Sequence, residues 1–103
     1  MINEYKTIVT KTFSDELENI IYYIKEILKE PSIAKNVYRK ITKAIYKLSY
    51  FPTKNSILKS PENEDLFISK LNNYIIIYLI DFNQNEVFIL HIFHTTQDYF
   101  NKL

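Results

Sequence analysis

The side chains best suited to chemistry gather at two places in this sequence. His91 and His94, its only histidines, lie on or beside the last apolar run, and Thr95, Thr96, Gln97, Asp98 and Tyr99 follow directly. Histidine titrates near neutrality and a strand terminus is open to substrate, so His94 is the better candidate for proton transfer, with Tyr99 the nearest phenol. His91 alternates in step with Val87, Ile89 and Phe93 and is expected as a hydrogen-bonded core or edge residue. Two histidines of opposite strand parity and no cysteine make a poor ligand set, so no metal site is expected. Lys70 is the one cation in the apolar final third, between residues 66 and 94.

The second place is residues 31–61, which hold Lys35, Arg39, Lys40, Lys43, Lys47, Lys54 and Lys59 and no acid, while the rest of the chain carries six basic and twelve acidic residues. Lys35, Arg39, Lys43 and Lys47 are four apart, so on a helix they form a ridge that drifts about 40° per step. One reading is the solvated back of an amphipathic helix. The other is a docking surface for an acidic segment or nucleic acid, because an ordinary exposed face mixes signs.

The composition excludes whole classes. Without cysteine there are no disulfides, thiolate zinc sites or cysteine nucleophiles. Without glycine, phosphate cradles that need close backbone approach or positive φ are excluded, and no cofactor is expected. Asparagine must serve the turns instead, at Asn72-Asn73 and Asn83-Gln84-Asn85. The longest apolar run, Tyr74 to Ile80, has seven residues, far short of the roughly 20 needed to cross a bilayer. Nor does the N-terminus show an export pattern. The expectation is one soluble, cytoplasmic domain over residues 1–103 with no membrane partner.

The elements that must position these residues follow from periodicity. Residues 4–9 are β-branched and aromatic enough for a strand. Ser14 is a candidate N-cap, with Asp15 and Glu16 in the first turn, and Leu17, Ile20, Ile21, Ile24, Ile27 and Leu28 outline one helical face. Pro31 interrupts and Ser32 can cap a second helix, whose face is Ala34, Val37, Tyr38, Ile41, Ala44, Ile45 and Leu48. The short break predicts an antiparallel helical hairpin. Phe51-Pro52 ends it, and residues 53–65 read as a surface loop. Residues 66–71, 74–80 and 86–93 read as strands, the middle one apolar throughout and so central and covered on both sides. The turn at Asn83 is expected to need four or five residues. The fold class is α+β: a strand, a two-helix antiparallel hairpin, then a three-stranded antiparallel meander, in the order β-α-α-β-β-β.

Three segments carry a family resemblance: Leu48-Ser49-Tyr50-Phe51-Pro52, Leu71-Asn72-Asn73-Tyr74-Ile75-Ile76-Ile77-Tyr78 and the closing His94-Thr95-Thr96-Gln97-Asp98-Tyr99. Together they resemble the RelE/ParE superfamily of type II toxins. The resemblance implies a toxin neutralised by a cognate antitoxin in a toxin–antitoxin hetero-oligomer. Its RelE branch cuts mRNA on the ribosome, and its ParE branch inhibits DNA gyrase. Lys70 matches a cationic position of the RelE branch, whereas Ile75, Phe67 and Gln97 stand where arginine is usual, and the closing segment is closer to the ParE branch. Losing guanidinium groups removes bidentate phosphate contacts. The favoured expectation is therefore a ParE-like toxin that binds an essential target such as gyrase, with Lys35, Arg39, Lys43 and Lys47 as the partner-binding surface for an antitoxin that pairs by charge. A metal-independent ribosome-dependent endoribonuclease using Lys70, His94 and Tyr99 is the first alternative. A non-toxic scaffold that only binds its antitoxin is the second.

Overall fold

A computed structural model describes residues 4–59 and 65–96. Strand β1 (Lys6–Val9) leads into helix α1 (Lys11–Tyr22), which runs on as a π-helical turn (Tyr23–Ile27). Helix α2 (Pro31–Leu48) and a 3-10 turn (Pro52–Lys54) follow, then strands β2 (Ser56–Lys59), β3 (Asp65–Leu71), β4 (Tyr74–Asp81) and β5 (Glu86–His94). The strands form one sheet in the order β1-β5-β4-β3-β2, antiparallel throughout except for the parallel pair β1–β5.

The α+β class and the central place of β4 are as expected, but the sheet has one strand more. Part of the segment read as a loop, Ser56–Lys59, pairs with Asp65–Ile68 as an edge strand. Such a strand needs only one apolar face and one ladder, so four residues left too short a pattern to detect.

The helix starts also differ. Thr10, not Ser14, caps α1: its Oγ1 accepts from Phe13 N–H at 3.2 Å and donates to the Ile89 carbonyl at 2.8 Å. The first turn therefore contains Lys11, which opposes the helix dipole and is held by Asp15 at 2.8 Å. Pro31 opens α2 instead of interrupting the chain, since its missing N–H would have no partner at the first helical position. No side chain caps α2, so Ser32 does not play the part expected of it. Lys29, in the connection, takes φ 58°, a left-handed conformation that this glycine-free chain gives to a lysine.

The π turn overturns part of the α1 pattern. Leu28 N–H bonds to Tyr23 O, five residues back, and this wider turn carries Ile27 and Leu28 off the buried face into solvent. Ile24 remains buried.

The main core lies between helices and sheet. Phe13, Ile41 and Leu48 pack with Phe67, Ile76, Tyr78, Val87, Ile89 and Ile92. Leu66, Ile68, Ile75, Ile77 and Phe93 form a second cluster on the opposite face of the sheet. Adjacent residues of β4 therefore serve different cores, which is why its apolar run never alternates.

The asparagines do the work of glycine at the turns. Asn72 (φ 48°) begins the two-residue β3–β4 connection, and Asn85 (φ 54°) ends the four-residue β4–β5 connection, whose Asn83 and Gln84 amides are held by Asp81.

Candidate functional site: a lysine-lined cleft beside an apolar groove

Helix α2 separates two surface hollows, and the drift of its charged ridge determines which residues face each. Three steps of about 40° turn the ridge through about 120° from Lys35 to Lys47. Its C-terminal members, Lys43 and Lys47, border a cleft of about 800 Å³ between α2 and β3, whereas Lys35 and Arg39 do not line it. Lys40, Lys54 and Lys70 join them there, over a floor that includes Ile41, Ala44 and Leu48. The expected four-residue surface is thus divided, and Lys40 and Lys54 enter in place of Lys35 and Arg39. Both belonged to the acid-free stretch but not to its four-residue spacing, which is why the periodicity passed over them.

At the mouth of the cleft Phe51 is half exposed, with Lys54 Nζ 5.2 Å from its ring centroid, a cation–π arrangement. The wall behind is fixed by Tyr78. Its hydroxyl donates to the Pro52 carbonyl and accepts from Asn55 Nδ2 at 2.9 Å, and its ring stacks on Phe67 at 5.4 Å. Burial pushes the Tyr78 phenol above its ordinary value, partly offset by the Asn55 hydrogen bond.

A second groove of about 510 Å³ runs between α1 and α2 and is mainly apolar, with Val9, Leu17, Ile21, Tyr22, Tyr38 and Ile45 among its lining residues. Val9, Tyr22 and Tyr38 are exposed, and the outer edge of β1 lies alongside, since among the described strands β1 pairs only with β5.

Of the residues expected to serve RNA cleavage, Lys70 and His94 line different hollows. Lys70 borders the α2–β3 cleft, at a register position facing Ile75 of the opposite-face cluster. His94 lines a different hollow, beneath α1 and the π turn, and Tyr74 forms the wall between the two. The His94 ring meets Tyr74 edge-on at 5.5 Å. Its Nδ1 accepts from Thr96 N–H at 3.2 Å and lies 2.8 Å from Thr96 Oγ1. Tyr99 and Gln97 lie outside the described residues.

His91 is displaced from its expected face by a bulge. Tyr78 pairs with Ile89 and Ile77 with His91, so Leu90 is an extra residue in β5. Beyond it the alternation is reset: Ile92 joins Val87 and Ile89 under the helices, and Phe93 goes to the other side. His91 stacks on Phe93 at 5.1 Å and meets Glu16 at 3.2 Å. The other Glu16 oxygen accepts from Ile92 N–H at 3.0 Å. Glu16 therefore closes the β5 edge where β1 ends, a role with no sequence signal because it depends on the bulge. Among the described residues no group of three histidine, cysteine, aspartate or glutamate side chains could hold a metal ion. No described helix is long and apolar enough to cross a membrane.

The order of a strand, a helical hairpin and an antiparallel meander is shared by solved structures of toxin–antitoxin systems. The toxin–antitoxin complex RelBE2 from Mycobacterium tuberculosis matches with a TM-score of 0.64 at 23% identity, over 88% of this chain and 98% of that one. An archaeal RelE–RelB complex from Pyrococcus horikoshii matches with a TM-score of 0.65 at 20% identity, over 91% and 98%. The chromosomal ParDE toxin–antitoxin system of Pseudomonas aeruginosa gives 0.71 at 16% identity, over 89% and 97%. The family model for the ParE toxin of the type II toxin–antitoxin system parDE matches residues 7–99, and the chain belongs to that family. No curated protein matches the sequence.

Proposed function

We propose that this toxin arrests growth by binding an essential target, DNA gyrase, rather than by cutting mRNA, and that a cognate antitoxin silences it. The observation that carries this reading is the separation of Lys70 from His94 in different hollows. Metal-free RNA cleavage needs a proton-transfer group and a charge-stabilising cation converging on one phosphate. Core residues stand at two such positions: Ile75, where the RNA-cutting branch usually carries arginine, belongs to the opposite-face cluster, and Phe67, where arginine is common in the family, stacks on Tyr78. A guanidinium at either place would be buried among apolar side chains.

The antitoxin segment is assigned to the groove between α1 and α2. Exposed Tyr22 and Tyr38 offer an apolar seat there, and the β1 edge, unpaired among the described strands, offers backbone groups. Relatives of the same fold were solved as complexes with antitoxins.

Expression of the chain without its partner gene should arrest growth, and the purified toxin should inhibit gyrase supercoiling. Primer extension in a translating extract should reveal no new mRNA ends. New ends that vanish in Lys70→Ala and His94→Ala would replace this reading with ribosome-dependent cleavage. Normal growth would reduce the chain to an antitoxin-binding scaffold.

A further inference from the structure

The tip of the helical hairpin carries an apolar surface that neither the antitoxin groove nor the lysine cleft uses. Tyr23, Ile27 and Leu28 are each at least half exposed there. The π turn sets them side by side, since Leu28 N–H reaches back to Tyr23 O and Ile27 lies four residues beyond Tyr23. Beside them opens a hollow of about 500 Å³, with Tyr23 and Leu28 on its rim and Ile20, Ile24, Tyr74 and Phe93 among its lining residues. It lies across α1 from the antitoxin groove and shares no described lining residue with it. Lys25, Glu26, Lys29 and Glu30 alternate with the patch along the chain, all exposed and with a net charge of zero. None of the four makes an ion pair among the described residues.

We infer that two copies of this chain associate through the hairpin tip about a two-fold axis, each setting Ile27 and Leu28 against the hollow of the other. A two-fold contact needs one surface that is complementary to itself, and an apolar knob next to an apolar hollow is such a surface. The charges favour the same occupant. A tip with both signs and no net charge gives a polyanion or an acidic segment no advantage, whereas a second copy supplies lysine for each glutamate and glutamate for each lysine. Along α2, by contrast, Lys35, Arg39, Lys43 and Lys47 would set like charges against each other. The three side chains and the rim of the hollow present roughly 400 Å² per copy, a size at which exposed apolar surface marks an interaction site. Two such surfaces bury less than the about 1,200–2,000 Å² of a stable complex, so the dimer is weak and dissociates on dilution.

Sedimentation equilibrium of the full chain from about 1 μM to 1 mM should show a monomer–dimer equilibrium. Ile27→Ser/Leu28→Ser, which leaves the buried Ile24 in place, should weaken it about tenfold or more. Lys25→Glu/Lys29→Glu makes the tip wholly acidic and Glu26→Lys/Glu30→Lys makes it wholly basic. Each alone should weaken self-association about tenfold or more through like-charge repulsion. An equimolar mixture of these two variants should dimerise at least as well as wild type, a rescue that a misfolded chain does not give. Lys43→Glu/Lys47→Glu, near the other end of α2, should change the equilibrium less than about threefold. A wild-type chain that stays monomeric at the highest concentration, or a mixture of the two charge variants that stays monomeric, would overturn the proposal. A monomer whose inhibition of gyrase supercoiling is lost in Ile27→Ser/Leu28→Ser would overturn it in favour of gyrase as the occupant. Sedimentation reads neither growth arrest nor supercoiling, so this inference and the proposed function can each fail without the other.

Discussion

Tyr78 does two jobs that a phenylalanine at its position would separate. The ring fills the helix-side core against Phe67, and the hydroxyl, at the end of a fully buried side chain, ties the Pro52 carbonyl and the Asn55 amide to the centre of the sheet. Tyr78→Phe keeps the packing and leaves the Pro52 carbonyl without its donor, at a cost of about 1–3 kcal/mol in chemical denaturation at neutral pH. The pH dependence follows from the raised phenol. The folded state holds this proton more tightly than the unfolded chain, whose tyrosines titrate near pH 10. The associated stability is complete below that pH and is lost as pH rises towards the higher folded value. Wild type should therefore lose stability above about pH 10 more steeply than Tyr78→Phe. Tyr74, whose phenol burial also raises, contributes equally to both proteins. Identical alkaline slopes would show that the Tyr78 hydroxyl is not held as described.

The connection from α1 to α2 shows how an element is closed without glycine. The π turn ends with Leu28 N–H on Tyr23 O, Glu30 N–H reaches back to Ile24 O at 3.0 Å, and Lys29 between them is left-handed at φ 58°. For an L-residue with a Cβ this conformation costs about 1–2 kcal/mol, and glycine removes that cost while adding about 0.5–1 kcal/mol of unfolded-state entropy. Lys29→Gly should accordingly stabilise the fold by about 0.5–1 kcal/mol, seen as a higher melting temperature. Lys29→Val should destabilise it, because a β-branched side chain tolerates positive φ poorly. An unchanged melting temperature in both variants would remove the strain from this account. The same turn sets the rim of the hollow that contains His94, through Tyr23, Ile24 and Leu28.

At the scale of the whole molecule the sheet is buried on both faces, and β4 belongs to both cores. Ile76 faces the helices and Ile77 the opposite cluster, each fully buried. Ile76→Ala and Ile77→Ala should each cost about 2–5 kcal/mol, since a buried isoleucine loses both transfer energy and its packed surroundings. A cost below about 1 kcal/mol for Ile77→Ala would mean that the second face is solvated. The two-sided core also bears on function. It seats α2 through Ile41 and Leu48, and α2 in turn stands between the lysine cleft and the apolar groove.

The sequence by itself determined what depends on periodicity and composition. The face of α2 that buries Ala34, Ile41 and Leu48, the continuous apolar run of β4 and the asparagine turns all follow from neighbours close along the chain, as does the acid-free stretch 31–61. Tertiary structure alone decided the features that join distant residues. One extra residue at Leu90 reset β5 and moved His91 and Phe93 to the other face, and the pairing of Ser56–Lys59 turned an apparent loop into an edge strand. Packing of α2 against β3 selected Lys40, Lys43, Lys47, Lys54 and Lys70 from thirteen basic residues as one cluster. Local patterns record which side of an element is apolar, but a bulge, an edge pairing or a shared cleft is fixed only when separate elements pack together.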